Sequence, residues 1–361
     1  MPEAALSRLA LYTARPTLRV NGDENERVSG LLLTLDMVEQ DDGLSTLELR
    51  FSNVAADGVG ESDFAFEDEK SLRLGDRIEV YVGEEDGPTQ IFSGLVTALE
   101  AEFTEEGAPV LTALAEDALQ QARMKRRTRV YDDQSLADIA QEIAQSLGLT
   151  PRVTGLSDPI GAQVQLNESD LAFLRRLLAR HDAGMQVVGD QLQVAPRAEV
   201  QRGRVELELR SQLRRACVLA DLAHQTSEVT VTGWDAARGD RTKGRSSGSD
   251  RGPGQGRSGA EILSETIGRR SHQIGHLAVA TSEEANAVAQ AAFDERRRRF
   301  VTVKGTAEGN SAIRVGTHVT LTGLGPRFSN TYYVVRCRHR FDLQRGFETD
   351  FTGECSFLGG P

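Results

Sequence analysis

The chain has 361 residues, of which 39% are hydrophobic, 5% aromatic and 27% charged. This composition is typical of a soluble protein with two or three compact domains, and it excludes the disordered, collagen-like and membrane-embedded classes for the chain as a whole. Residues 1–120 contain 26 Asp and Glu against 8 Lys and Arg, whereas residues 121–361 contain 28 against 34. The first third is therefore strongly acidic and the remainder mildly basic.

Targeting signals and cysteine usage indicate the compartment. No apolar run is long enough to cross a bilayer, and Met1–Val20 lacks the continuous apolar core of a signal peptide. We therefore predict synthesis and assembly in the cytoplasm without membrane insertion. Cys217, Cys337 and Cys355 are isolated and odd in number, which fits neither a disulfide framework nor a zinc site. We expect them to be buried thiols.

The first segment alternates apolar and polar residues, as a half-buried β-sheet does. Polar or glycine-containing turns separate the alternating stretches, which are Pro16–Val20, Leu31–Met37, Leu44–Phe51, Arg77–Val82, Gln90–Glu102 and Pro109–Leu114. We predict an antiparallel meander or barrel over residues 1–118.

Helical spacing replaces the alternation after residue 130. A capping-box pattern at Ser135–Asp138 precedes apolar residues at helical intervals up to Leu147, and Gly148 ends the helix. A second amphipathic segment runs from Ser169 to Gly184, and Gly189-Asp190 is typical of a two-residue hairpin turn. We predict a small α/β insertion domain over residues 119–200.

The last segment, residues 201–361, predicts a second β domain. It contains a polar, Gly- and Ser-rich stretch at 239–259 that we interpret as a flexible loop, at about 236–262. A helix from Ser282 to about Arg296, capped by Thr281, precedes β-type patterns from Phe300 to Phe357. The fold class predicted is α+β, mainly β.

An internal repeat relates the two predicted barrels. Leu72–Val80 aligns with Ile313–Leu321 at a constant offset, matching Arg73 with Arg314 and Gly75 with Gly316. The order of strand, Phe-Ser turn, long strand, Gly turn and strand follows in both copies. We interpret this as a structural duplication, so that three copies of the chain would present six similar units.

Catalytic, cofactor and metal patterns are absent from the sequence. Glu168 and Asp170 flank Ser169 at a helix start, where carboxylates stabilise the helix dipole, so we interpret them as structural. His272 and His276 lack a third ligand or an HExxH pattern, and the glycines near Gly252 lack the ending of a P-loop. We predict a protein that is not an enzyme and has no cofactor or metal.

Two basic clusters and one tryptophan are candidate protein-interface residues. The clusters are Arg123, Lys125, Arg126, Arg127 and Arg129, and Arg296, Arg297, Arg298 and Arg299. Nucleic-acid binding is disfavoured because the chain is acidic and lacks interleaved aromatic residues. Helix electrostatics with solvated faces is one reading, and contact with the acidic first barrel of a neighbouring copy is another. Trp234 is either an interface anchor or a core or domain-junction residue.

The middle segment resembles a known family. Val130–Ala144 and Leu166–Gly184, which contains Glu-Ser-Asp-Leu-Ala-Phe-Leu, resemble the late control D proteins of tailed phages and the hub part of VgrG proteins in type VI secretion. Gly305–Gly316 and Tyr332–Phe351 resemble the closing domain of that family.

The resemblance implies a structural hub of a contractile injection system or phage tail, with two related tube-like antiparallel β-barrel domains, over residues 1–118 and 201–361, and the α/β insertion between or beside them. Such a hub is a homotrimer that joins a hexameric inner tube protein to a trimeric spike, contacts other baseplate proteins, and belongs to an assembled particle that can be released or delivered. Because no OB domain or β-helical segment follows Pro361, we expect a separate spike protein. The alternative is a LysM-like peptidoglycan-binding or cell-wall-degrading component, since Ser135–Leu149 resembles the first helix of LysM modules.

Overall fold

The computed structural model describes residues 15–41, 43–56, 62–67, 70–83, 88–235, 238–248, 252–275, 277, 279 and 281–360. Its main feature is a 13-stranded sheet that runs through two barrels and joins them. The chain is mainly β with smaller α/β parts, which confirms the predicted fold class.

The first barrel packs its strands around a core that includes Leu18, Leu35, Phe51 and Ile78. Its strand order is β3-β4-β9-β8-β7-β1-β2. The strands predicted from alternation are confirmed, and the short helix α1 is an element that alternation did not reveal. The elements are β1 (Thr17–Val20), β2 (Asp23–Glu24), α1 (Glu26–Leu31), β3 (Leu32–Gln40), β4 (Thr46–Ser52), β5 (Ala55–Ala56), β6 (Ser62–Asp63), β7 (Arg77–Val82), β8 (Thr89–Glu102) and β9 (Val110–Glu116).

A separate hydrophobic core, formed by residues 119–194, belongs to the middle unit. The predicted capping box is confirmed, since the Ser135 side chain accepts from the Asp138 N–H and the Asp138 carboxylate accepts from the Ser135 N–H. The predicted hairpin is β13 and β14. The elements are α2 (Gln120–Met124), β10 (Arg126–Tyr131), α3 (Leu136–Ser146), β11 (Thr150–Val153), β12 (Gln163–Ser169), α4 (Asp170–Arg180), β13 (Ala183–Val188), β14 (Gln191–Pro196) and a 3-10 turn (Arg197–Glu199).

The second barrel repeats the strand order of the first, except that β15 pairs parallel with β22 whereas β1 pairs antiparallel with β7. Its strands follow the order β16-β21-β24-β23-β22-β15 around a core that includes Phe300, Val303, Tyr332 and Val334. The elements are β15 (Arg204–Glu208), β16 (Leu213–Ala220), β21 (Val301–Glu308), β22 (His318–Thr322), α7 (Gly325–Phe328), β23 (Thr331–Asp342), β24 (Gly346–Cys355) and β25 (Phe357–Leu358).

A β-α unit is inserted between β16 and β21 and has its own small core. It comprises β17 (Glu228–Asp235), β18 (Asp240–Ser246), β19 (Arg257–Ser258), α5 (Gly259–Thr266), β20 (Ser271–Ile274) and α6 (Ser282–Arg298). In the first barrel the equivalent strands β3 and β4 are consecutive. The division of the chain at residues 118 and 200 stays a prediction, because one sheet continues through both barrels.

The flexible loop predicted at about 236–262 is wrong for most of its described residues. Strand β18 pairs with β17 from Val229 opposite Ser246 to Asp235 opposite Asp240, and α5 begins at Gly259. A Cβ atom at Gly244 would lie 2.1 Å from the backbone carbon of Ala285. Glycine at position 244 therefore lets helix α6 approach the strand closely.

The repeated turn has the same hydrogen bonds in both barrels. Gly75 and Gly316 adopt φ values of 86° and 87°, a region that favours glycine. The Gly75 N–H donates to the Val96 carbonyl at 2.9 Å, and the Gly316 N–H donates to the Val334 carbonyl at 2.9 Å. The sequence repeat thus marks equivalent positions of two related barrels.

Candidate assembly interfaces

The two barrels are joined by antiparallel pairing of β3 with β23, from Gln40 opposite Arg336 to Thr34 opposite Asp342. Three pairs point to the buried side, and each of their side chains is at most 3% exposed. They are Glu39 with Cys337, Met37 with His339, and Leu35 with Phe341. The junction is therefore packed like a protein core and holds the barrels as one sheet.

A charge pair lies inside this junction. Glu39 is fully buried, and the Arg314 Nε donates to its Oε1 at 2.8 Å while the Val315 N–H donates to Oε2 at 3.2 Å. Burial alone would raise the pKa of Glu39, but the Arg314 guanidinium lowers it below its usual value. Glu39 is thus a buried carboxylate held ionised by the turn of the second barrel.

A cysteine and a histidine meet beside this pair. Cys337 Sγ lies 3.4 Å from His339 Nε2, and His339 Nδ1 lies 3.1 Å from the Thr349 hydroxyl. Burial raises the pKa of the Cys337 thiol well above its usual value and, with Arg314 nearby, lowers the pKa of His339 to about 3. Both side chains are neutral and have no access to solvent, so the pair lacks the thiolate and the open position that nucleophilic catalysis needs.

The second basic cluster does not form one exposed face. Arg298, the last residue of α6, is buried, and its guanidinium contacts Asp182 Oδ2 at 2.5 Å and Glu354 Oε2 at 2.9 Å. Burial alone would lower the pKa of Arg298, but Asp182 and Glu354 raise it. Arg197 extends the network to Asp182 at 3.1 Å and to Asp41 at 2.8 Å. These contacts tie the middle unit to both barrels.

The other three arginines of that cluster also contact their own chain. Arg297 is 5% exposed and stacks on the Phe357 ring at 4.8 Å. Arg296 donates to the Ala292 carbonyl and lies 2.8 Å from His272 Nε2, while Arg299 pairs with Glu295 at 2.9 Å. The expected interface role is therefore wrong for Arg297 and Arg298, whose burial within the chain leaves no surface for a partner.

The first basic cluster lies on α2 and β10 and is more exposed. Three of its members form ion pairs inside the chain: Arg123 with Glu116, Arg127 with Asp170 at 3.3 Å, and Arg129 with Glu142. Arg126 donates to the Asn167 carbonyl at 3.2 Å. Lys125 is exposed at the end of α2. Lys125 and Arg126 are thus the two members that the described residues leave without a carboxylate partner.

Trp234 is 57% exposed and lies in β17 opposite Arg241 of β18. The core interpretation of Trp234 is therefore wrong, because the side chain projects from the sheet. Cys217 of β16 is also exposed, against the expectation of a buried thiol, whereas Cys337 and Cys355 are buried as predicted.

The carboxylates and histidines considered for chemistry have structural partners. Glu168 pairs with Arg176 at 3.0 Å, and Asp170 accepts from the Gln165 side chain at 2.9 Å. His276 lies outside the described residues. Over the described ranges, no group of three or more His, Cys, Asp or Glu side chains could hold a metal ion, and no helix has the length and apolar character to cross a membrane.

Sequence reasoning missed the acidic partners at these junctions: Asp41, Asp182, Glu354 and above all Glu39. Glu39 occupies an inward position that continues the apolar alternation of Leu35 and Met37. Likewise, Arg297 follows Ala285, Ala289 and Phe293 at intervals of four on the buried face of α6. A charged residue in register with an apolar face was the signal in both cases.

Comparison with known proteins places this architecture. No curated protein matches the sequence. A tail protein of 43 kDa from prophage MuSo2 of Shewanella oneidensis has a TM-score of 0.69 at 15% identity, covering 94% of this chain and 97% of its own. A tail protein from Neisseria meningitidis MC58 has a TM-score of 0.66 at 12% identity, covering 94% and 96%.

A third structure, a component of the Escherichia coli type VI secretion system, has a TM-score of 0.58 at 12% identity and covers 95% of this chain and 79% of its own. At such identities, these likenesses show that the fold is shared. The sequence itself matches the family model described as Alg8 N-terminal domain over residues 50–342. Because this match covers more than half of the sequence, the chain belongs to the Alg8 N-terminal domain family.

Proposed function

We propose that this protein is a structural component of a phage tail or contractile injection system, and more specifically a trimeric hub between a hexameric inner tube and a trimeric spike. The observation that carries the proposal is the pair of barrels with one strand order, joined side by side by β3 and β23. Three copies in a closed ring would present six related barrels to a sixfold tube and three identical chains to a threefold spike.

The structural neighbours support the same role. Two of them are tail proteins, and the E. coli secretion component is itself similar in structure to the tail proteins gp27 and gp5 of bacteriophage T4. The narrower assignment, to hubs related to late control D and VgrG proteins, is part of our proposal. Its partners are an inner tube protein, a spike protein and other baseplate proteins, within a particle assembled in the cytoplasm.

The proposed role requires rigid transmission of force and no turnover. The Glu39–Arg314 pair and the Arg298 network suit this role because they fix the barrels and the middle unit against one another. We infer that the protein has no enzymatic activity and that binding to its partners is its whole function.

Light scattering coupled to size-exclusion chromatography tests the proposal. Three copies of the 39.3-kDa chain give a mass of about 118 kDa, and electron microscopy should show a ring of six similar lobes. A monomer that remains monomeric in the presence of its tube and spike proteins would overturn it. Retention on purified peptidoglycan would instead support a cell-wall-binding protein, and clearing of peptidoglycan in a zymogram a cell-wall hydrolase.

A further inference from the structure

Five strands of each barrel can be matched through their pairing registers, β3, β4, β9, β8 and β7 with β16, β21, β24, β23 and β22. Ala98 opposite Leu114 in the first barrel corresponds to Arg336 opposite Thr352 in the second. Val38 opposite Thr46 corresponds to Leu219 opposite Thr302. β8 is thus equivalent to β23, and β3 is equivalent to β16.

The irregularities of the strands coincide as well. A register shift lies between Val96 and Ala98 in β8 and between Val334 and Arg336 in β23. Another lies between Leu32 and Thr34 in β3 and between Leu213 and Arg215 in β16. Shared β-bulges fix the correspondence to a single residue, because a bulge interrupts the pairing at one position only.

The equivalence exposes a difference between the barrels. Within the chain, β3 of the first barrel pairs with the outer half of β23 of the second. Over the described residues, the equivalent outer half of β8 pairs only with β9, and β16 pairs only with β21 apart from one isolated bridge at Leu213. Each chain therefore presents both halves of the same junction, one at each end of its sheet.

We propose that β16 of one copy pairs antiparallel with the outer half of β8 of a second copy, repeating the β3–β23 junction between chains. The internal register then places Leu99 opposite Ala220, Ala101 opposite Val218, and Glu102 opposite Cys217. The strand pairing alone does not set the number of copies, so for a ring of three copies this interface rests on the hub proposed above.

Side-chain exposure supports the pairing. Phe341 is 3% exposed inside the internal junction, whereas its equivalent Phe103, just after β8, is 61% exposed. On the opposing strand, Leu219 is 59% exposed, and Ala216, Val218 and Ala220 are half-buried. Open strand edges with exposed apolar residues pair readily with another chain. The second copy would therefore cover Phe103 as the internal junction covers Phe341.

Charges match across the proposed interface. In the internal junction, Arg338 pairs diagonally with Asp36, its Nε lying 2.7 Å from Oδ1, although Val38 is the residue directly opposite. In the intermolecular register, Glu100 and Cys217 occupy the positions equivalent to Arg338 and Asp36, and the next diagonal in the same direction joins Glu102 of β8 to Arg215 of β16. The charges are exchanged between the two strands, yet each diagonal joins opposite signs.

This interface is directional, because it uses β16 of one copy and β8 of the next. A head-to-tail contact either closes a ring or grows into a filament. Each chain contributes two barrels, so three copies contribute six. The ring closes after three copies when the sheet turns by about one sixth of a circle at every junction, as the proposed hub requires.

The exposed Cys217 provides a direct test. The variant Glu102→Cys places a thiol opposite Cys217 of the neighbouring copy, within the Cα separation of about 4.4–6.8 Å that a disulfide requires. Mild oxidation should yield covalent trimers on non-reducing gels. Adding Cys217→Ser should abolish them, and Ala101→Cys, one residue away on the other face of the strand, should not form them.

The outcomes separate this interface from the function that it serves. Trimers by light scattering with no disulfide in Glu102→Cys would overturn the strand pairing and leave the hub intact. A disulfide within one chain would also overturn it. A monomer under all conditions would instead count against the hub itself.

A charge exchange provides a second, reversible test. Glu102→Arg or Arg215→Glu alone should raise the concentration at which the assembly dissociates, by roughly three- to tenfold in low salt. The two changes together should restore assembly, because the diagonal regains opposite charges. A double variant as weak as the single variants would contradict the register.

Discussion

Arg314, in the turn of the second barrel, holds the buried carboxylate of Glu39 in the first, and 275 residues of sequence separate the two. Cys337, His339 and Val315 surround the Glu39 carboxylate and exclude water from it, whereas the Arg314 side chain is 23% exposed. Forming such a pair costs desolvation free energy. Any alternative packing that buries one of the two charges without the other is less stable still, so the pair favours a single arrangement of the barrels.

Removing one partner should therefore destabilise the joined barrels strongly. Glu39→Gln leaves the Arg314 guanidinium, whose side chain is 23% exposed, with a neutral partner, and we expect a loss of about 1.5–3 kcal/mol in the free energy of unfolding by urea. The double variant Glu39→Met with Arg314→Met should lose less than the single variant, because no charge stays buried.

The outer face of the same strand pair provides the control. Asp36 and Arg338 are 29% and 43% exposed, so Asp36→Asn should cost less than about 1 kcal/mol. Equal losses of unfolding free energy in Glu39→Gln and Asp36→Asn would show that burial does not determine how much the Glu39–Arg314 pair contributes to stability.

His339 should make the junction sensitive to acid. Its pKa is about 3 in the folded protein, chiefly because of burial, against 6.5 for an ordinary histidine. The unfolded chain takes up the proton first, so stability falls as the pH drops below 6.5, by up to about 1.4 kcal/mol per pH unit until about pH 3. His339→Gln should remove about 2 kcal/mol of the difference in unfolding free energy between pH 6.5 and 5.

The choice of pH range separates this effect from that of Glu39. The pKa of Glu39 is below 4.5, so its carboxylate stays ionised in both states for most of the range above pH 5. His224→Gln, at an exposed position, serves as the control and should leave the pH dependence unchanged. An unchanged pH dependence in His339→Gln would exclude His339 as its source.

Much of the fold could be predicted from the sequence because its signals are local. Alternation located the strands of the first barrel, and the capping residues Ser135 and Thr281 located two helix starts. The repeat at Gly75 and Gly316 identified equivalent turns of the two barrels. Each of these signals depends only on residues that are close in sequence.

The failures share a physical cause, which is packing between distant segments. The residues next to Gly244 in the sequence do not indicate that helix α6 packs on it. Likewise, the residues next to Arg298 do not indicate its ion pair with Asp182. The duplication was visible only in one stretch, because the β-α unit between β16 and β21 breaks the spacing of the other equivalent strands. Candidate interface residues chosen by charge alone therefore included two that are buried.

Gly244 tests the replacement of the predicted loop by a packed strand. A Cβ atom there would lie 2.1 Å from the backbone carbon of Ala285, so Gly244→Ala must displace α6. We expect a loss of about 1–3 kcal/mol in unfolding free energy, measured with urea. Ser247→Ala, at an exposed neighbouring position, should have no effect. A neutral Gly244→Ala would favour the flexible loop.

Arg298 should fix the middle unit to the barrels. Arg298→Met keeps much of the side-chain volume but leaves Asp182 and Glu354 without this partner, so we expect faster amide hydrogen exchange around Asp182 and in the last turn of α6. The exposed Arg123, which pairs with Glu116, provides the control: Arg123→Ala should leave exchange unchanged at these sites. Equal exchange in the two variants would show that the network does not hold the units together.

Lys125 and Arg126 test whether the first basic cluster takes part in assembly. Arg127 is unsuitable for this purpose, because it pairs with the buried Asp170 and its replacement would disturb the start of α4. The double variant Lys125→Glu with Arg126→Glu should weaken a contact with an acidic barrel of a neighbouring copy. We expect less trimer by native mass spectrometry, with the largest difference from the unmodified protein at low salt. Arg129→Ala, which removes an exposed pair with Glu142 and the contact of the guanidinium with the Tyr131 ring, should assemble normally. Unchanged assembly of the double variant at all salt concentrations would exclude the cluster from the interface and leave the strand edges of β8 and β16 as its remaining basis.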